Sequence, residues 1–128
     1  MLNKVSAYFL LVIYSKKLNK YGIKPIIENI ENRYEERKGN EDWEQMNSIC
    51  KKVNEAGSML QFRNTEICLQ RSMVGYFLLR KLGFHTIEFH IGVGKETFEA
   101  HAWLECDGNI INDDEEFIRK RYIPTFSK

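Results

Sequence analysis

No excess of charge of either sign marks this chain. Its 19 basic and 18 acidic side chains leave a formal net charge of +1, which excludes the strongly basic surface that general nucleic-acid binding draws on. Long apolar runs are lacking too. The run over residues 5–14 is too short to span a bilayer, and without an Ala-x-Ala-like cleavage site it does not read as a signal peptide. Cysteine is scarce: three residues, an odd number, with no Cys-x-x-Cys pair. That excludes a disulfide framework and suits a thiol kept free in a reducing cytoplasm, the expected location. His85, His90 and His101 stand at no ligand-like spacing from the cysteines, so neither a zinc site nor any other cofactor is predicted. Gly92-Val93-Gly94-Lys95 is too short for a phosphate loop and opens no helix, so it reads as a turn. Internal repeats and low-complexity tracts are absent.

What is present is an ordinary globular composition, 43% apolar over 128 residues, which predicts one domain with a modest core. Residues 1–60 read as helical and carry no evident chemistry. Leu2, Val5, Phe9, Val12 and Ile13 form a stripe, widened by Leu10, Leu11 and Tyr14 until the helix is apolar nearly all round. Such a helix is expected to be buried on more than one side or to offer a docking surface. A break at Tyr21-Gly22 precedes Pro25, which favours a new helix start running through Ile26, Ile27 and Ile30. Residues 31–41 are charged and read as a polar connector. Asp42 can cap a third helix, with Trp43, Met46, Ile49, Cys50 and Val53 at helical spacing until Gly57 stops it.

Chemistry begins at Cys68. Asn64 or Thr65 can serve as N-cap, placing Cys68 at about the third or fourth position of a helix. The free backbone N–H groups and the dipole there stabilise a thiolate. Cys50, inside a helix, and Cys106, before a turn, lack that setting and read as inert. Downstream, Ile87, Phe89, Ile91 and Val93 alternate with polar residues as in a half-buried strand. In the next strand Phe98, Ala100, Ala102, Leu104 and Cys106 share one face, and His101, Trp103 and Glu105 share the other. Asp107-Gly108 signals a hairpin into a short third strand over residues 109–112. Register then decides which carboxylate meets His101. A strict two-residue turn pairs Cys106 with Asn109 and sends Asp114 opposite His101; a three-residue loop with a bulge pairs Cys106 with Ile110 and brings Asp113 onto the His101 face.

A Cys helix followed by an antiparallel sheet bearing His and then Asp is the order of papain-like and transglutaminase-like thiol enzymes. The fold class expected is therefore α+β: a helical N-terminal layer over residues 1–60, then a catalytic core over residues 61–128 with the nucleophile helix packed on a small antiparallel sheet. More specifically, Cys68-Leu69-Gln70-Arg71-Ser72, Leu78-Leu79-Arg80-Lys81-Leu82-Gly83-Phe84, Ile91-Gly92-Val93, His101-Ala102-Trp103-Leu104-Glu105-Cys106-Asp107-Gly108 and Asn112-Asp113 resemble the leader peptidases of lasso-peptide biosynthesis. These are stand-alone transglutaminase-like cysteine proteases, and the likeness covers about residues 63–114.

The resemblance implies Cys68 as nucleophile, His101 as general base and acid, and Asp113 as the orienting carboxylate, and it favours the bulged register; Asp114 is the alternative. The Cys68 backbone N–H is the natural first oxyanion donor, and Gln61 is a candidate second. Arg71 either serves the fold through a carboxylate or touches substrate, and Trp103 either walls the cleft or belongs to the core. The function implied is cleavage of the leader from a lasso-peptide precursor through an acyl-enzyme. Implied partners are that precursor, a separate small leader-recognition protein, for which this chain's length leaves no added domain, and a cyclase taking the freed core peptide. Two other functions fit the same residues: an acyltransferase that resolves the intermediate with an amine, and an inactive scaffold that holds precursor or partner.

Overall fold

The computed structural model describes residues 3–34, 42–59, 67–84, 86–96 and 99–128. Three helices come first. In α1 (Lys4–Tyr21) the Asn3 side chain accepts the Ser6 amide at 2.9 Å, satisfying one of the amides a helix start leaves unpaired. Gly22 ends it with φ 79, a left-handed value that glycine adopts without a Cβ clash. The next helix, α2 (Ile23–Arg33), follows at once. It starts two residues ahead of Pro25, which still lies in the first turn, where its missing N–H has no partner to lose. Its last turn takes in Glu31, Asn32 and Arg33, so the expected polar connector is helical at its start; residues 35–41 lie outside the described residues. Asp42 caps α3 (Trp43–Ser58) as predicted, its carboxylate accepting the Gln45 amide at 3.0 Å.

Two expectations for this layer are corrected. First, the reading of α1 as buried on more than one side is overturned, while its alternative, a docking surface, is not: the helix is buried along Ala7, Leu11 and Tyr14, where it packs on α3 and α4 (Cys68–Lys81). Val5 is 64% exposed and Phe9 60% exposed. A helix apolar on both sides carries no directional signal, so the stripe containing Ala7 and Tyr14 was illegible beside the bulkier one. Second, Gly57 does not stop α3. It is buried one residue inside the helix end, and a Cβ there would meet Ile67 Cδ1 at 2.7 Å and Arg71 Cδ at 2.8 Å. Gly57 lets the start of α4 approach α3.

The sheet has four antiparallel strands in the order β3-β2-β1-β4: β1 (Ile87–Gly94), β2 (Ala100–Cys106), β3 (Asn109–Ile110) and β4 (Tyr122–Ser127). The face predicted for the core holds at Ile87, Phe89, Ala102, Leu104 and Cys106, but the strands are not half-buried: His90, Gly92, Trp103 and Glu105 of the other face are buried as well, and Val93 and Ala100 are exposed. Ile87, Phe89, Ala102, Leu104 and Cys106 are buried in the main core with Met73, Val74, Tyr76 and Leu79 of α4. Gly75 permits that contact, since a Cβ would lie 2.9 Å from Leu104. On the other face a smaller core of Trp103, Ile110, Ile118 and Tyr122 is closed by α5 (Glu115–Arg121). Nothing was predicted for α5 or β4, although Asp114, acidic Glu115 and Glu116, and basic Arg119, Lys120 and Arg121 make a standard helix signature. Among the described residues the architecture is α+β, as expected.

Gly92 faces Trp103 across β1 and β2. A Cβ there would lie 2.6 Å from Trp103 Cη2 and 2.9 Å from the Ile123 carbonyl, and neither the buried ring nor the backbone can yield easily. Gly92→Ala is expected to destabilise the fold by about 1–3 kcal/mol through overpacking, read as a lower denaturant midpoint at unchanged slope.

Candidate active site

Cys68 is the first residue of α4, with Ile67 as N-cap and no side-chain cap. The helix therefore begins later than an Asn64 or Thr65 cap would put it; those two residues, and Gln61, lie outside the described residues. The shift strengthens the placement of the sulfur. The first intrahelical bond runs from the Arg71 amide to the Ile67 carbonyl at 2.8 Å, so the amides of Cys68, Leu69 and Gln70 have no acceptor within the helix. They form a positive end at which an anion is stabilised.

His101 comes from β2, opposite Gly92 of β1. Among the described residues, β3 covers the outer edge of β2 only at Glu105 and Cys106. The Leu104 amide is then taken by the side chain of Asn112, Oδ1 accepting at 2.9 Å. Asn112 also donates from Nδ2 to Ser72 Oγ of α4 at 3.0 Å, and its carbonyl accepts from Asn54 of α3 at 3.1 Å. This buried residue ties β2, α3 and α4 together and sets the position of the next residue, Asp113.

Asp113 Oδ2 lies 2.8 Å from His101 Nε2, and Asp113 Oδ1 accepts the Asp114 amide at 2.8 Å. With Nε2 engaged, Nδ1 is the nitrogen left for a thiol, and Cys68 lines the same hollow as the imidazole. Burial alone would lower the imidazolium pKa. The bonds to Asp113 and Cys68, with the charges of both, outweigh it and raise His101 to about 9. For Asp113, burial would raise the carboxyl, but the His101 bond, the Asp114 amide and the charges of His101 and Arg71 hold it below the usual carboxylate range.

The register reached is the one the resemblance disfavours. Asp107 and Gly108, at φ 52 and 82, form a strict two-residue turn that pairs Cys106 with Asn109. Asp113 still meets His101, because β3 ends at Ile110 and the chain bends at Asn112 and Asp113, after which strand alternation no longer applies. Asp114 instead caps α5, accepting the Glu116 and Phe117 amides.

The remaining candidates divide. Trp103 is 1% exposed and its indole N–H donates to Glu105 at 2.8 Å, so it belongs to the smaller core. From there it stacks behind His101 with ring centres 6.5 Å apart. Arg71 adds its charge to the surroundings of Asp113 and lines a cleft on that side. Tyr122, which no motif marks out, stacks on His101 at 5.0 Å and 19° and donates its hydroxyl to Glu99. Burial pushes the Cys50 thiol up to about 12; it also raises Cys106, against a lowering contact from Thr86. The fold brings Glu88, His90 and Glu105 together with ligand-type atoms within 4.8 Å of one another, a grouping spread over two strands and so invisible to Cys/His spacing. Glu105 is already held there by Trp103 and by Arg119 at 3.4 Å.

Residues 18–127 match the family model of the transglutaminase-like superfamily. The chain belongs to that superfamily. Comparison with curated proteins and with solved structures found no match. The superfamily generally includes cysteine proteases and transglutaminases, which suggests activity of that type, and the described residues suit it chemically: a thiol at a helix start, an imidazole lining the same hollow, and a carboxylate on one of its nitrogens.

Two outcomes follow. His101 titrates at 6.5 ordinarily and near 9 when folded, so its contribution to stability is complete below pH 6.5 and is lost as pH rises through 9. The denaturation midpoint should fall over that window, and Asp113→Asn should flatten the fall; an unchanged slope would remove Asp113 as the group holding the proton. Asn112→Ala strands the Leu104 amide, and a loss of about 1–3 kcal/mol is expected for a buried donor left unpaired, measured by urea unfolding.

Proposed function

We propose that this protein is a cysteine peptidase that removes the leader peptide from a lasso-peptide precursor. The observation that carries a thiol mechanism is the 2.8 Å bond between His101 and Asp113 on an imidazole that lines one hollow with Cys68, the first residue of α4. The narrower substrate class is supported by the motif resemblance over residues 63–114. In the reaction, Cys68 Sγ attacks the scissile carbonyl as the thiolate, paired with the His101 imidazolium that a pKa near 9 favours at neutral pH. The Cys68 backbone N–H, with Gln61 as candidate second donor, stabilises the oxyanion. The imidazolium then protonates the leaving amine as the C–N bond breaks, which frees the core peptide and leaves a thioester. Water, deprotonated by His101, attacks the thioester and restores the thiol. Asp113 holds the imidazole in one orientation throughout and supports its positive charge.

Delivery of the precursor falls to a separate small leader-recognition protein, and a cyclase takes up the freed core, in the cytoplasm. An acyltransferase would share every step up to the thioester, and the superfamily covers both outcomes. The mass of the leader product separates them, a free carboxylate for hydrolysis and an added amine for transfer.

The test combines purified protein, recognition partner and precursor, read by mass spectrometry. Cys68→Ala should abolish cleavage, and His101→Ala should slow it by about 10²–10⁴-fold, the usual worth of a positioned acid–base group. Cutting by Cys68→Ala would refute the mechanism. Iodoacetamide at neutral pH should alkylate Cys68 ahead of Cys50 and Cys106, an order that an inert scaffold would not give.

A further inference from the structure

Two hollows flank the His101–Asp113 pair, and their chemistry differs. The one on the Asp113 side is lined by Lys51, Glu55, Arg71 and several amides. The other, of about 230 Å³, is the one that touches Cys68 and His101. Its further walls are Ile23 at the start of α2, Leu69 and Gln70 in the first turn of α4, and Ile91, Ala100 and Ala102 from the sheet. Among its described lining residues, none but His101 and Cys68 is ionisable.

We infer that this apolar cavity receives a side chain of the acyl donor, so that the protein acts on peptides bearing an uncharged, apolar residue beside the bond that Cys68 attacks. The inference rests on the acyl-enzyme reading and adds the substrate class. A carbonyl placed at Cys68 Sγ puts the neighbouring side chain of the same peptide next to the cavity, because the sulfur is part of its wall. A charged side chain would lose its hydration there and find no counter-charge among the described walls, which is costly. An aliphatic one exchanges water for Ile23, Leu69 and Ile91. Space is set by Ala100 and Ala102, two residues apart on one sheet face, with Ala102 opposite Ile91. Larger residues at those points would fill the cavity. A pocket of this kind discriminates by size about 10–200-fold per methylene.

Short activated thioesters test this without precursor or recognition partner. Acetyl-X-glycyl and acetyl-glycyl-X thioesters, with X as Ala, Leu, Phe or Lys, are attacked by Cys68 with release of a thiol that is counted by absorbance; acetyl-glycyl-glycyl thioester is the reference. At one of the two X positions kcat/KM should be at least 100-fold higher for Leu than for Lys. Ala100→Leu should lower the Leu-to-Ala ratio at that position at least tenfold, and Ile23→Ala should raise the Phe-to-Leu ratio there. Ala100 is exposed, so its substitution leaves the core packing intact, and Ile23→Ala gives an independent reading in the opposite direction. Should the reference release thiol with the wild type and not with Cys68→Ala, while Leu and Lys react alike at both positions, the pocket assignment is overturned and the acyl-enzyme reading survives. Should no thioester react through Cys68, both fall.

Discussion

The side chain of Asn112, standing in for a strand at the Leu104 amide, is the contact on which the site depends. A sheet edge is normally continued by backbone, and each further paired residue would have covered more of β2. Here the ladder continues past β3 by one backbone bond, from the Ile111 amide to the Leu104 carbonyl at 3.0 Å, and then passes to the Asn112 amide oxygen, beyond which Asp113 meets His101. Because Asn112 also grips Ser72 of α4, the strand that bears the imidazole and the helix that bears the thiol are referred to one residue. Their separation is set by short, directional bonds within a buried network, where an unmade bond is costly and misplacement is therefore resisted.

The three cysteines show how position sorts one functional group into different chemistry. Cys50 sits in the middle of α3 with its thiol pushed to about 12 by burial, and Cys106 rests against Thr86 at the end of β2. Only Cys68 combines a helix start with an imidazole partner. The raised pKa of His101 belongs to the same arrangement. An imidazole beside a carboxylate gains stability as a cation, and that cation favours negative charge on Asp113 in return. Asp113 keeps its charge against burial through three partners: His101, the Asp114 amide and the charge of Arg71.

Much of this could be read in the sequence, and the failures have separable physical causes. Period-two alternation in β1 and β2 was legible because one face meets a helix, so the hydrophobic pattern and the pleat coincide. Asp42 and Gly22 were legible because caps are local. Asp113 was implied by the motif resemblance, and the bulged register favoured with it does not exist, since alternation was carried past the point where the strand ends and a side chain takes over the ladder. Gly57 was read as a stop from its propensity, while its role is to admit Ile67 and Arg71, a contact between segments that no local rule contains. The buried side of α1 was missed because Ala7 is small and Tyr14 is ambiguous; only the neighbours α3 and α4 decide between the two stripes. Tyr122 lies in a strand announced by a legible cap, but its place over His101 depends on β4 pairing across β1.

The smaller core links this site to the far end of the fold. Trp103 backs His101 and is held by Glu105, a buried carboxylate that Arg119 of α5 also contacts. A buried charge persists only with such partners, so α5 is coupled through one ion pair and one indole N–H to the ring behind the imidazole. Tyr122, the residue next after α5, packs against both rings, with its centre 5.0 Å from His101 and 6.4 Å from Trp103. Helix α5 itself is capped by Asp114. Two successive carboxylates in a bent segment thus serve opposite directions, Asp113 toward the imidazole and Asp114 toward the helix that buttresses it. A shift of one residue in that segment would lose the partner of His101 and the cap of α5 together. The spacing between Asn112 and Asp114 is therefore constrained by the site and by the fold at once, more tightly than the identity of either carboxylate alone would require.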